Sequence, residues 1–489
     1  MKLTLAKRVG LRPSIPKKQI VCISFLIVGV LYTILFAEGC TQNEKTVKAN
    51  YTFENVNVVP LNEKVILKKR TVAIRNDTII AIIDPSSETD RVNLIVGERI
   101  DGTGQFLMPG LADMHIHLRM DPQAMFNLFL ANGVTTIFNM RLGDGGGDVN
   151  HTKLRTDIAE GRMTGPRYLI SGPQLTPDLL PGVDDVAPML NRHIEEEYDA
   201  IKIHQDLGPE IYNSLITGAH KYGLRVTGHM QHHLPLSESL RMDAIEHMEE
   251  FLYTSRDGFG DVAGDYSEFL PLYHSHVKRL AEPEYRKAIV DDVATTSVFV
   301  DPTLVIYYSV FRWVDDSHFA TLHGDDNLIY LPRETRNKYL NTETNPYRTD
   351  DFPFSAEHLE SNMEILKTLM YELHEAGVSL LLGTDSFGTL VPGFSIHKEL
   401  ELMVEAGLSP YEALRTGTVN VASYLGKAET EGTIAVGKRA DFILLEENPL
   451  NEISHTRNVK GVFTQGNWYS DSELASMLEE ARKILNSSK

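Results

Sequence analysis

The alternation of hydrophobic and polar positions changes its rhythm twice along the 489-residue chain. From Tyr51 to about Leu107, short β-rich runs (Asn55–Pro60, Thr71–Ile74, Thr78–Ile83, Asn93–Val96) are separated by turn signals such as Arg75-Asn76-Asp77 and Asp101-Gly102. Between about 107 and 427, short apolar runs alternate with stretches of helical period, for example 122–132, 208–222, 356–376 and 397–406. The runs are Leu107–His117, Thr135–Asn139, Tyr168–Ser171, Ala200–His204, Leu224–His229, Ala244–His247, Val298–Pro302 and Ser379–Asp385. Strand-like segments then return at Gly432-Thr433-Ile434, Ala440–Leu445 and Val459–Gln465, and 471–486 reads as a capped helix.

Eight apolar runs alternating with helices predict an α/β fold, a (β/α)8 TIM-like barrel over 107–427, with its chemistry at the carboxyl ends of the strands. The first β block needs partner strands, and the last block can supply them. The expectation is a small β-sandwich domain built from both ends of the chain, 51–106 and 428–470, followed by a C-terminal helix in 471–489. Residues 252–296 and 303–355 are long for plain connections and are expected to hold a lid or substrate-facing loops. Polar residues 41–50 read as a linker.

Residues 1–19 carry Lys2, Lys7, Arg8, Arg12, Lys17 and Lys18 and no acid, and Ile20–Ala37 then carries no charge. This is an export address, with the basic flank held in the cytoplasm. Ala37-Glu38-Gly39-Cys40 places small residues before a cysteine, as in a bacterial lipoprotein cleavage site, although Glu38 departs from the usual residue there. The expectation for 1–40 is a signal peptide or lipoprotein anchor, giving an exported, cell-envelope protein tethered to the membrane through Cys40. Cleavage to a soluble form and retention as an uncleaved anchor are the alternatives.

Charge and cysteine content narrow the chemistry. With 47 basic against 67 acidic side chains the formal charge is −20, which disfavours nucleic acid and gives a mild steering preference for neutral or cationic small molecules. Cys22 and Cys40 are the only cysteines, so a metal must be held by His, Asp, Glu or an altered side chain. A homo-oligomer is neither required nor excluded.

The polar residues at the ends of the runs carry the functional signal. His115 and His117 stand two apart, so a strand points both to one face, where two neutral imidazoles can share a divalent ion. Lys202, His229, His247 and Asp385 lie at equivalent places on later runs. Singly, each has an ordinary structural role as snorkelling lysine, hydrogen-bonded core histidine or helix cap. Together they would converge on one barrel mouth.

Pro109-Gly110-Leu111-Ala112-Asp113-Met114-His115-Ile116-His117 resembles the first-strand signature of the amidohydrolase superfamily of metal-dependent hydrolases. Ala200-Ile201-Lys202-Ile203, Ile245-Glu246-His247, Gly383-Thr384-Asp385 and Gly437-Lys438-Arg439-Ala440-Asp441 resemble its later motifs, so the resemblance covers about 51–468. The branch it is most similar to is the imidazolonepropionase-like and Xaa-Pro dipeptidase-like one, in which the fourth-strand lysine is carboxylated.

The resemblance implies two divalent metal ions, with zinc the expected metal for nitrogen and oxygen ligands. His115, His117 and Asp385 would hold the buried ion, His229 and His247 the outer one, and carboxylated Lys202 would bridge them. It further implies hydrolysis of an amide or other C–N bond of a small-molecule substrate (N-acyl amino acid, dipeptide or cyclic amide) by a metal-bridging hydroxide, with Asp385 as the catalytic proton carrier. A mononuclear deaminase or lactam hydrolase, with Lys202 unmodified, is the alternative. A non-catalytic surface binding protein would gain nothing from a positioned Asp385. Candidate substrate-binding residues are Gln231, which could also be a solvated loop residue beside His232 and His233, His397, which could also be structural, and Tyr307, which with Tyr308 could simply pack. The loop Gly143–Gly147 reads as flexible.

Overall fold

The computed structural model describes residues 46–87, 93–141, 149–260 and 266–487. The expected export address at 1–40 and the loop Gly143–Gly147 lie outside the described residues. The spine of the end-built domain is β1 (Thr46–Val58), paired on one side with antiparallel β2 (Leu67–Arg75), which continues into β3 (Thr78–Ile83). On its other side lie parallel β4 (Asn93–Asp101) and, further along, parallel β5 (Phe106–Pro109). Residues 46–50, expected within a linker, are therefore strand: Thr46–Ala49 pair with Asn93–Val96. Their polar composition conceals this because their backbone pairing, rather than an apolar face, holds them.

The barrel follows as seven parallel strands in chain order: β6 (Leu111–Ile116), β7 (Val134–Asn139), β8 (Arg167–Leu175), β9 (Ala200–Ile203), β10 (Val226–Gly228), β11 (Ala244–Glu246) and β12 (Phe299–Asp301). The run 379–385 closes the ring without forming a regular strand. Leu381 N donates to Val300 O at 2.8 Å on one side, and on the other Met114 N donates to Leu382 O and Asp385 N to His115 O, both at 2.8 Å. Inside, Ala112, Phe138, Leu169, Ala200, Ala244, Phe299 and Leu381 share one apolar cluster. Two positions further along their strands, Lys202, Glu246 and Asp301 face the same interior, one layer nearer the mouth.

The apolar run Leu107–His117 is two strands, with the change of sheet at Gly110. Gly110 N donates to Asp441 O at 3.0 Å, and a Cβ at this position would fall 2.2 Å from Thr135 Oγ1. Periodicity cannot show the break because both halves are buried. The chain returns through β13 (Phe442–Leu445), β14 (Val459–Thr464) and β15 (Asn467–Ser470), giving one mixed sheet in the order β15-β14-β13-β5-β1-β2-β3, with β4 on β1. The sheet curls until β3 meets the residues before β13: Ile79 N donates to Lys438 O at 2.9 Å and Gly437 N to Ile79 O at 2.8 Å. Phe53 centres its core, with Phe442 and Trp468 ring centroids each 4.9 Å away.

Two features frame the barrel mouth and rim. The insertion 303–355 packs Trp313 against Tyr339 (4.8 Å), Tyr347 (4.7 Å) and Phe387 (5.9 Å), the last in the loop after Asp385. The terminal helix Asp471–Ser487 lies on the first barrel helix, Pro122–Ala131, with Ala481 and Leu485 in one cluster with Ala124 and Leu128. Among the described residues no helix is long and apolar enough to cross a membrane. Leu485 is 2% exposed, so Leu485→Ala is expected to lower the unfolding free energy by about 2–4 kcal/mol, read by urea denaturation.

Candidate active site

The strand ends bring the predicted side chains together. His115 Nε2 lies 3.6 Å and His117 Nε2 2.9 Å from Asp385 Oδ1, and one ligand atom from each of the three falls within 4.8 Å of the others. His115, Glu246 and His247 form a second such group. Lys202 is fully buried and makes an ion pair with Glu246, whose other oxygen accepts from Thr227 Oγ1 at 2.9 Å. The His229 ring sits 4.9 Å from those of both His247 and His204. Neither three-residue group includes His229, and it is the most exposed of the set at 22%.

Local backbone geometry makes this convergence possible. His247 has φ +69° and Asp385 φ +46°, left-handed values that are uncommon for non-glycine residues and that recur at functional sites. A regular strand would send Glu246 and His247 to opposite faces. The left-handed turn at His247 brings both to His115. Before His229, Gly228 (φ +142°) permits β10 to approach β9, since a Cβ there would fall 2.0 Å from Ile203 O.

Electrostatics prepare the site for cations. Burial holds His115 and His117 below the usual imidazole range and His247 at about 3, so these rings are neutral lone-pair donors at neutral pH. Burial brings Lys202 down to about 7 despite the carboxylates around it. For Asp385, burial acts upward, but the His117 hydrogen bond and the nearby His247 and Lys202 outweigh it and hold the carboxyl down, at about 2. Five carboxyl groups around the strand ends (Asp113, Glu246, Glu250, Asp301, Glu399) are buried, against one buried lysine. Burial pushes Asp113 up to about 7 and raises Asp301 and Glu399 strongly.

The donor set fits a divalent metal. His115 Nδ1 and His117 Nδ1 are buried without a hydrogen-bond partner, and the oxygen Asp385 turns to the two rings is buried as well. Such atoms are costly to bury unless an ion satisfies them.

Sequence reasoning did not single out several supporting residues. Asp113 fixes the loop carrying Asp385, accepting from Thr384 N at 3.0 Å and from Thr384 Oγ1 at 2.7 Å. His247 Nδ1 meets Thr303 Oγ1 at 2.8 Å. A chain of contacts backs His229: Glu250 Oε1 lies 3.3 Å from His229 Nδ1, Glu250 Oε2 lies 2.9 Å from His232 Nε2, and His232 N donates to Asp206 Oδ1 at 2.9 Å. Asp113, Thr384 and Glu246 stand inside the family-like motifs and His232 beside Gln231, whereas Thr303, Asp206 and Glu250 carry no signal in the sequence.

The three candidate substrate residues fare differently. Gln231 is fully buried, so it is not solvated; its Oε1 accepts from Leu207 N at 2.7 Å, its backbone N donates to Ser239 Oγ at 2.8 Å, and its Nε2 is buried without a hydrogen-bond partner. His397 is buried, with its Nδ1 2.9 Å from Thr456 Oγ1, and burial holds its ring at about 3. Tyr307 is buried in the helix Leu304–Val314, where Tyr273, Asn362 and Glu249 all act on its hydroxyl; it packs beside the mouth.

Comparison with known proteins agrees with this arrangement. The model of the Amidohydrolase family matches residues 106–469. Ochratoxinase of Aspergillus niger is 39% identical over 90 residues, which is 18% of this chain and 18% of that protein. Its crystal structure superposes with a TM-score of 0.58 at 17% identity, covering 87% of this chain and 96% of that one. Imidazolonepropionase of Geobacillus kaustophilus is 24% identical over 398 residues, 78% of this chain and 84% of its own length. The structure of a bottromycin amidohydrolase superposes with a TM-score of 0.64 at 19% identity, covering 89% and 90% of the two chains. With the family model matched across the whole barrel and the returning strands, the chain belongs to the Amidohydrolase family.

Proposed function

We propose that this protein is a metal-dependent hydrolase that cleaves an amide or other C–N bond of a small molecule, with N-acyl amino acids, dipeptides and cyclic amides as the candidate substrates. The observation that carries the reading is the meeting of His115, His117 and Asp385 within one ion's reach, with the two imidazoles held neutral by burial and Asp385 held ionised beside them. Ochratoxinase and imidazolonepropionase, by name hydrolytic relatives, support it.

In this reading His115, His117 and Asp385 would hold one divalent ion and His229 and His247 a second, with zinc suited to nitrogen and oxygen donors. Lys202 would serve them as a carbamate: the Nζ lone pair bonds to the carbon of CO2, one Nζ proton leaves to solvent, and a two-oxygen anion results. A Lys202 pKa near 7 supplies the free amine that this step consumes. When bound, the ions supply Lewis-acid polarisation of the scissile carbonyl and hydroxide at neutral pH. Asp385, ionised and braced by His117, takes the proton at its carboxylate as the water oxygen joins the carbonyl carbon. It then passes that proton to the departing nitrogen as the C–N bond breaks. Thr303 and Glu250 hold the His247 and His229 rings so that their outward nitrogens face the mouth.

The Lys202–Glu246 ion pair favours a second reading: an unmodified lysine, one ion and a deaminase or lactam hydrolase. Metal content separates the two, with about two ions per chain for the bridged centre and about one for the other. For the bridged centre, protein grown with 13C-bicarbonate should give a carbamate carbonyl signal that Lys202→Ala lacks. The variant should also lose metal, with partial return on adding zinc and a short carboxylic acid. Asp385→Asn is expected to lower kcat by about 10²–10⁴-fold at saturating metal, measured against the best substrate of an N-acyl amino acid and dipeptide screen.

The amino-terminal address supports a cell-envelope location with a lipid on Cys40. Radiolabelled palmitate should enter the full-length protein expressed in a Gram-negative host and should not enter Cys40→Ser.

A further inference from the structure

A cavity of about 250 Å³ opens beside His117, where the loop after β6, the 331–339 part of the insertion and the loop after Asp385 meet. His117 is at once a metal donor and a wall of this cavity, so a substrate with its scissile bond at the donors places one of its halves here. The volume lies below that of pockets taking whole drug-sized molecules, which suits one moiety.

Two cations reach this space. The Arg119 guanidinium stands 5.8 Å from the Phe387 ring centre, and Lys338 rises from the helix Arg333–Leu340. Neither has a carboxylate within ion-pair distance among the described residues; Glu334 shares the rim without pairing to them. In a chain with 67 acids against 47 bases, two unpaired cations at the mouth run against the overall charge. The net charge gives the opposite expectation, a preference for neutral or cationic substrates, but at contact range nearby charges outweigh a field screened over roughly 8–10 Å.

We propose that Arg119 and Lys338 form a carboxylate subsite, and that the substrate is an N-acyl amino acid or dipeptide whose free carboxylate docks there, its apolar part lying against Phe387 and Tyr339. A guanidinium offers two parallel N–H donors to a carboxylate, and the ammonium adds a point charge. This assignment rests on the hydrolase reading and narrows its candidates by removing neutral cyclic amides.

The test uses the full-length, zinc-loaded protein and matched pairs of N-acetyl amino acids and their carboxamides. Wild type should favour the acid of each pair by about 100-fold in kcat/KM, from two charge-assisted contacts. Arg119→Met and Lys338→Met should each shrink that ratio by about tenfold through KM for the acid, and Arg119→Lys should keep more of it than Arg119→Met. Equal turnover of acid and amide, or a ratio unchanged in both methionine variants, overturns the subsite while the hydrolase reading stands. If no pair is hydrolysed, the hydrolase reading loses N-acyl amino acids from its candidates and calorimetric titration of the same pairs decides the subsite. Tighter binding of the acid, weakened in Arg119→Met, supports it; no binding, or equal binding of both, overturns it. Both cations are exposed, so the variants fold.

Discussion

The constraint on which the rest depends is charge balance in a confined volume. The barrel buries five carboxyl groups near its strand ends and sets one buried lysine against them. Each ionised group removed from water costs several kcal/mol unless something compensates it. Part of the compensation is protonation, with Asp113 pushed to about 7 and Asp301 and Glu399 raised strongly by burial. Divalent ions supply the remainder in the proposed reading, at a place where neutral imidazoles offer lone pairs. The environment thus separates otherwise similar acids into those that stay protonated and Asp385, which histidines keep ionised.

Geometry serves that constraint through a few local departures from regular structure. Positive φ at His247 and Asp385 turns both side chains into the mouth as their strands end. Each is held from outside: His247 Nδ1 by Thr303, and the Asp385 loop by the bonds from Thr384 to Asp113. The contacts from Asp206 through His232 and Glu250 do the same for His229. A donor with one ring nitrogen fixed loses little rotational freedom when the other takes a ligand.

The framework also divides labour between its parts. The curled sheet made from both chain ends carries its own aromatic core and meets the barrel at Gly110 and Asp441. The insertion 303–355 brings Trp313, Tyr339 and Tyr347 against Phe387, while the donors sit on the strands (His115, Lys202) or directly past their ends (His117, His229, His247). Rigid strands hold the donors, and loops are free to differ with the substrate.

By itself the sequence determined the alternation of strands and helices, the supply of sheet partners by both chain ends, and the six polar strand-end residues, because period and motif spacing are local properties. It could not determine what is decided between distant segments. Gln231 and His397 each take one hydrogen-bond partner from a distant segment, Leu207 and Thr456, which no local pattern in the sequence announces. Glu246 belongs to a quoted motif, but only the turn at His247 directs it toward His115 and Lys202. The strand at 46–50 and the break at Gly110 likewise leave no periodic trace, since backbone pairing and close packing produce them. Tertiary structure alone decided which polar groups are buried together, and burial is what sets their charge.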